Sequence, residues 1–416
     1  MTARWTAAFA VPPSGGGAPV PRDPGGGRRN YEVRCAECSS AADLPAYRCP
    51  RCGGPLVVHP APIGPDGLSE DRSRTGVWRR SGMLPRTAKA VTLGEGGTPF
   101  LPLDGLQDDR VRVHAKVEAL NPTLSFKDRA MALGASMALD LGLPGLVLAS
   151  TGNAAVSAAA YAAAAGLPCR VVCGTGSKAG LKLAAAAAHG ADVTLVEGDY
   201  SSAYESAVRA EEDGWFNVTT TYRNPVLAEA YRALAVEILD DLGHVPDVVV
   251  VPVGAGPLLR GLLGGFQDAV SAGAAARVPR LVGVQASACA PLARAWRHGD
   301  WVASLAVPPP VLPTRAAAIA DSLRGYEREG LLTLAAVRDS GGTVVDVEEE
   351  DMARATAALA RRGLLAEPAA AAALAALADD QVTGPVPDGG SVVIVLTGHG
   401  AKEPLAAVPA APAAEG

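Results

Sequence analysis

The sequence is poor in aromatic residues: 5 Phe, 5 Trp and 8 Tyr make up 4% of 416 residues. Its core must therefore be filled mainly by Ala, Val and Leu, as in closely packed α/β sheets. An excess of one charge sign is also missing, with 37 Lys and Arg against 43 Asp and Glu and a net charge of −6. That balance speaks against a general binder of nucleic acid or of anionic membranes. No apolar run reads as a membrane span. The longest uncharged stretch, Leu146 to Cys169, is broken by Gly152, Asn153, Gly166 and Pro168. The N-terminus lacks the apolar segment of a secretory signal ahead of its Pro/Gly tract. No fixed-period repeat is present, which argues against a solenoid. A soluble, cytoplasmic protein is expected. An apolar fraction of 49% against 19% charged residues supplies a large core and excludes global disorder. The length suggests two or three domains of roughly 100–200 residues each.

The 7 cysteines are an odd number, which argues against a disulfide framework. Four of them form two pairs, Cys35-x2-Cys38 and Cys49-x2-Cys52. Each pair can make a knuckle, and together they place four thiolates around one Zn2+. An all-cysteine set leaves no open coordination position, so the site is expected to be structural. It would hold a ribbon over 31–60 that is too short for a core of its own.

Residues 1–30 are a low-complexity tail and 61–90 read as a charged linker. The main body runs from about 91 to 404, with a second tail over 405–416. Residues 111–118 alternate apolar and polar positions, as in a half-buried strand. Short Val/Leu runs at 145–149, 169–173, 192–196, 247–253, 280–285, 343–347 and 391–396 read as strands buried on both faces. Ala-rich helical stretches at 154–165, 178–189 and 351–362 lie between them. That alternation predicts an α/β fold of parallel sheets covered by helices, with chemistry at the strand C-termini.

Three loops there carry suitable groups. Asn121 to Arg129 leads into a helical stretch over 130–141, with Ser125 as a plausible N-cap and Asp128 in the first turn. Lys127 then sits at a helix start, where a lowered pKa makes an amine a candidate Schiff-base former. Ser150-Thr151-Gly152-Asn153-Ala154 offers hydroxyls and amides suited to a carboxylate. Gly254-Ala255-Gly256-Pro257-Leu258 opens another helix and could cradle a phosphate. Thr397 follows the last strand. Rival motifs fail: Leu259 stands where a dinucleotide fingerprint needs glycine, and Gly174–Lys178 lacks the spacing of a Walker loop. His399 has no carboxylate or cysteine neighbour in sequence that suggests a ligand set.

In their order, these segments resemble the threonine synthases among the fold-type II pyridoxal-phosphate enzymes. The match includes the paired cysteines, Gly94-Glu95-Gly96-Gly97-Thr98-Pro99, the SFKDR lysine, STGNA, the VPVG loop, Ala366-Glu367-Pro368 and TGHGAKEP at 397–404. The resemblance implies the fold of the tryptophan synthase β subunit. A large domain would span 91–130 and 225–404, and a small mobile domain 131–224. It also implies residue roles. Lys127 would carry pyridoxal 5'-phosphate and later move protons. Phe126 would lie beside the cofactor, and Asn153 would bond its phenolic oxygen. Residues 150–154 would hold the carboxylate of a small amino-acid substrate. The amides of 254–258 would bind the cofactor phosphate, and Thr397 would meet the pyridine nitrogen. A hydroxyl there does not force ring protonation, a setting the family uses for β- or γ-elimination and replacement. A homodimer is implied by resemblance alone.

The substrate side departs from the family pattern. Leu124 stands where the lysine motif has glycine. Val226-Leu227 follows Asn224-Pro225 where the family has a phosphate-binding arginine, and the stretch around 314–324 is unlike its counterpart. Arg223, Arg232 and Arg260 are the candidates to replace that cation. Two reactions stay open: O-phosphohomoserine plus water to threonine plus phosphate, and β-elimination or replacement on serine, threonine or O-phosphoserine.

Overall fold

The computed structural model describes residues 29–105, 110–175, 180–198 and 200–403. The two predicted tails, Arg29 and Asn30 apart, lie outside these residues, as do Lys178 and Pro404. The cysteine region forms a three-stranded antiparallel ribbon of β1 (Tyr31–Cys35), β2 (Ala41–Ala42) and β3 (Leu56–Pro60), ordered β2-β1-β3. Next along the chain come β4 (Phe100–Pro102), β5 (Val111–Lys116), β6 (Leu146–Ala149), β7 (Cys169–Gly174), β8 (Asp192–Val196) and β9 (Phe216–Asn217). The last strands are β10 (Val248–Pro252), β11 (Arg280–Ala286), β12 (Thr343–Val347) and β13 (Gly390–Val395).

These strands build two further sheets. One has the order β12-β11-β10-β13-β5-β4, parallel except for β4 against β5. The other, β8-β7-β6-β9, is wholly parallel. β10 reads Val-Val-Val-Val-Pro with every residue buried. β-branched side chains fill both faces of a strand that helices cover on each side. Its register sets Val249 beside Leu281 of β11 and Val393 of β13. The six-stranded sheet thus presents the C-terminal ends of β5, β10 and β13 side by side, and the lysine, glycine-loop and Thr397 segments leave from those ends.

Three expectations need correction. β8 is not buried on both faces: Asp192 and Leu195 are exposed, because the strand is the edge of its sheet. Residues 61–90 are not a loose linker. They contain a short helix, Pro65–Leu68, and a 3-10 segment, Gly76–Met83. Val77, Trp78, Met83 and Leu84 are buried there, and Trp78 Nε1 donates to the Val91 carbonyl at 2.8 Å. The linker reading followed the charges and missed the four apolar anchors between them. The Ala-rich stretch at 178–189 forms a shorter helix, Leu181–Ala188.

Candidate active site

Lys127 is the first residue of the helix Lys127–Asp140. The expected Ser125 cap is absent. Phe126 already has helical angles, and Ser125 is drawn instead into a bridge with Gly398, leaving its Oγ buried without a partner. Asp128 fastens the turn. Its carboxylate accepts from the Thr123 amide (2.6 Å), the Thr123 hydroxyl and Ser157 Oγ (2.6 Å), the last on the helix that follows STGNA. Burial pushes Asp128 up to about 6, against the pull of those hydrogen bonds. Arg129 is fully buried and clamped between two carboxylates. It donates to Glu118 at 2.7 and 2.8 Å and to Glu237 at 2.7 Å twice. The Lys127 helix is therefore fixed at its base by two bidentate pairs.

Lys127 Nζ donates to Thr220 Oγ1 at 2.9 Å and lies 4.6 Å from the centroid of the Phe126 ring. Burial pulls the amine down to about 8, while Asp321 and Glu367 act in the opposite sense. Lys127 thus has the lowered amine pKa expected from the sequence, and desolvation is the chief cause. A neutral amine is accessible near physiological pH, which suits a nucleophile toward an aldehyde.

The other expected residues gather around it. STGNA joins β6 to the helix Asn153–Ala165, with Gly152 at the N-cap. Ser150 Oγ accepts from the Gly152 amide at 3.1 Å. Asn153 Nδ2 donates to Glu367 at 2.9 and 3.1 Å, and its Oδ1 is buried without a partner. Lys182 reaches the same Glu367 at 3.2 Å and also pairs with Glu403. Thr397 is buried, and its carbonyl accepts the Phe126 amide at 3.0 Å. His399 Nδ1 accepts from the Ala401 amide at 3.1 Å, so it has a local structural role.

The glycine loop follows β10 and turns into the helix Pro257–Ser271. Gly256 sits at φ +101°, and a Cβ there would collide with Thr333. Only glycine fits that corner. Thr333 Oγ1 donates to the Ala255 carbonyl at 2.5 Å and meets Tyr222 Oη at 2.8 Å. The first amides of the helix lack intrahelical acceptors and face the positive end of its dipole, a cradle for a phosphate.

The three arginines proposed as substitutes are each committed. Arg223 pairs with Glu211 at 2.5 Å, Arg232 with Asp268 at 2.5 Å, and Arg260 with Glu229 at 3.2 Å. Leu227 is 1% exposed and faces the Lys127 helix, where a Cβ on Gly134 would lie 3.1 Å from it. Sequence reasoning missed Thr220, Asp321, Thr333 and Tyr326. None belongs to a motif, and only the folded chain brings them to the lysine and the glycine loop.

The four ribbon cysteines also converge. Their Sγ atoms lie within 4.8 Å of one another, with Cys35–Cys52, Cys38–Cys49 and Cys38–Cys52 at 3.5 Å. A tetrahedron of Zn–S bonds of about 2.3 Å has edges near 3.8 Å, so the donor set fits the metal. Ser40 draws the Cys38 thiol down to about 6, and burial pushes Cys35 up to about 12. The ribbon is also wired to the main body. Arg48, beside Cys49, pairs with buried Glu329 at 2.6 Å, and Glu329 accepts the Tyr222 amide at 2.8 Å. Tyr47 Oη accepts the Asn217 amide at 2.8 Å.

This site suits pyridoxal phosphate: Lys127 is a half-buried amine, Ser125 Oγ and Asn153 Oδ1 are buried without a partner, and the glycine loop opens a helix. Comparison with known proteins agrees. Residues 91–398 match the family described as pyridoxal-phosphate dependent enzymes. The threonine synthase of Methanocaldococcus jannaschii is 34% identical over 389 residues, 90% of this chain and 94% of that protein. The chain belongs to the threonine synthase family of pyridoxal-phosphate-dependent lyases. The Methanosarcina acetivorans threonine synthase is 32% identical over 90% of this chain and 93% of its own length. Among solved structures, maize serine racemase superposes with a TM-score of 0.61 at 20% identity, covering 73% of this chain and 89% of that one. The processed threonine deaminase isoform 2 of Solanum lycopersicum gives 0.59 at 21%, covering 73% and 83%. These two likenesses establish the fold-type II architecture. No helix among the described residues is long and apolar enough to cross a membrane.

Proposed function

We propose that this lyase eliminates or replaces a substituent on the side chain of a small amino acid, with Lys127 as the cofactor lysine and proton carrier. The observation that supports the reading is a half-buried lysine of lowered pKa whose neighbour Phe126 is bonded to the Thr397 carbonyl at 3.0 Å, with Asn153 bonded to Glu367, one of the carboxylates that act on that lysine. Bound pyridoxal phosphate supplies an electron sink at the substrate's Cα. The amides of Gly254, Ala255, Gly256 and Leu258 hold its phosphate, and Pro257 starts the helix behind them. Asn153 would orient its phenolic oxygen, Phe126 would line one face of its ring, and Thr397 would meet the ring nitrogen without a charge. Ser150, Thr151, Gly152 and Ala154 hold the substrate carboxylate. Lys127 Nζ would take the α-proton and deliver it to the leaving side.

Two reactions fit this machinery. The relatives support O-phosphohomoserine plus water giving threonine plus phosphate. The commitment of Arg223, Arg232 and Arg260 to carboxylates favours a second reading, β-elimination on serine or threonine. Inorganic phosphate and threonine from O-phosphohomoserine would establish the first; keto acid from serine or threonine would establish the second. In either case Lys127→Ala is expected to lose the visible absorbance of the lysine-bound cofactor. A retained band would overturn the assignment of Lys127.

Cys35, Cys38, Cys49 and Cys52 are proposed to hold one structural Zn2+. Movement of residues 131–224 over the substrate and a homodimeric assembly are proposed from the family resemblance.

A further inference from the structure

Asp321 belongs to no motif, yet it lies against Gly254 at the head of the glycine loop. Its Oδ1 accepts from the Leu323 amide at 2.9 Å and from Tyr326 Oη at 2.7 Å. A Cβ on Gly254, the first residue of the glycine loop, would lie 3.4 Å from Asp321 Cβ and 3.8 Å from Oδ2. Tyr326 is itself fixed, with its ring 5.1 Å from that of Tyr204 on the helix Tyr200–Arg209, which packs on the four-stranded sheet. The carboxylate is thus held from two sides before any substrate enters. Among the described residues, the charged groups that act on Lys127 are Asp321 and Glu367, both negative. On the opposite side of the ledger, Arg223, Arg232 and Arg260 are neutralised by Glu211, Asp268 and Glu229. Lys182 is tied to Glu367 and Glu403, and Lys402 Nζ donates to the Thr123 carbonyl at 2.6 Å.

We infer that Asp321 sets the substrate class of this site: it accepts a hydrogen bond from the hydroxyl of a β-hydroxy amino acid and repels a side chain that ends in phosphate. The inference rests on Lys127 as the cofactor lysine and selects between the two proposed reactions. A half-buried carboxylate gains from a hydroxyl donor, whereas a dianion near it meets like charge in a medium that screens poorly. Sites that read a substrate hydroxyl by hydrogen bonding discriminate more sharply than apolar pockets do. With serine, the α-proton passes to Lys127 and the Cβ–O bond breaks. The hydroxyl departs as water, taking that proton. The freed enamine tautomerises and one water hydrolyses it, so serine yields pyruvate and ammonia with no external oxidant or reductant.

The test is a specificity ratio measured on the holoenzyme. Keto-acid formation from L-serine and L-threonine is compared with phosphate release from O-phospho-L-serine and O-phosphohomoserine, for the natural chain and for Asp321→Asn. The natural chain is expected to favour the hydroxy amino acids in kcat/KM by at least about tenfold. Asp321→Asn is expected to shrink that preference at least about tenfold, with serine losing and O-phosphoserine gaining. A merely structural residue would slow all four substrates alike and leave the ratio unchanged, which would overturn the inference. So would a natural chain that prefers either phosphorylated substrate, a result that needs no variant and stands even if Asp321→Asn fails to fold. Failure of the underlying reading looks different: the protein would show no lysine-bound cofactor absorbance at all.

Discussion

Leu124 holds a φ of +64°, in the left-handed region that a side chain with a Cβ resists. The hydrogen bonds on either side force it there: its amide donates to the Asn121 carbonyl at 2.7 Å, and its carbonyl accepts from His399 at 3.1 Å. The family's usual glycine at this position has an immediate reason. Leu124→Gly should be more stable than Leu124→Ala by about 1 kcal/mol, reversing the usual order, because alanine loses the leucine contacts and keeps the strain. Thermal or urea unfolding of the pair measures this, and an alanine variant equal to the glycine variant would remove the strain argument. Lys127 supplies a second residue-scale prediction. With the free amine at about 8 rather than 10.5, its neutral fraction grows as pH rises through 8. Uptake of pyridoxal phosphate by the cofactor-free protein should therefore accelerate about fivefold from pH 7 to 8 and level off above 9. A rate that does not change between pH 6 and 8 would show that the amine is not the titrating nucleophile.

Elements meet at a few polar joints. Arg129 joins the Lys127 helix to Glu118 after β5 and to Glu237 on the helix Arg232–Leu242. Arg129→Met leaves Glu118 buried without its cation and Glu237 with Lys116 alone, and should cost about 3–5 kcal/mol in unfolding free energy. A loss below about 1 kcal/mol would mean that water or relaxation takes over the pairing. The ribbon joint is more specific. Arg48 and Glu329 connect the cysteine knuckle to the 219–223 segment, whose Thr220 meets Lys127 and whose Tyr222 braces the glycine loop through Thr333. If the proposed zinc occupies the ribbon, chelating it should weaken pyridoxal-phosphate binding in equilibrium titrations. Arg48→Met should weaken it similarly, and chelation of that variant should add little further. Independent, additive losses would show that the ribbon does not act through Arg48.

At the scale of the whole molecule, the site lies between two sheets built from separate parts of the chain. Lys127, the glycine loop and Thr397 leave the six-stranded sheet, while STGNA leaves β6 of the four-stranded one. Lys182 to Glu367 and Tyr204 to Tyr326 span the gap from opposite sides. Lys182→Met should raise KM for the amino-acid substrate several-fold while leaving the cofactor absorbance intact, because it loosens closure and leaves Lys127 in place. Loss of that absorbance would place Lys182 in cofactor binding instead.

The sequence by itself determined eight of the ten strands of the two larger sheets, missing the short β4 and β9, and it located the paired cysteines, the lysine and the loops at the strand ends. Those features are local: alternation and apolar runs set strands, spacing sets the knuckles, and glycine sets the tight corners. The buried 61–90 segment, the exposed β8 edge and the bridged Ser125 were decided by the tertiary structure, because burial at an edge or a joint depends on what packs there. The same holds for substrate choice. Whether an arginine is free depends on the carboxylate the fold brings to it, 12, 36 and 31 residues away for Arg223, Arg232 and Arg260. Glu329 claims Arg48 from 281 residues away, and Asp321 acts electrostatically on Lys127 only once the sheets are formed.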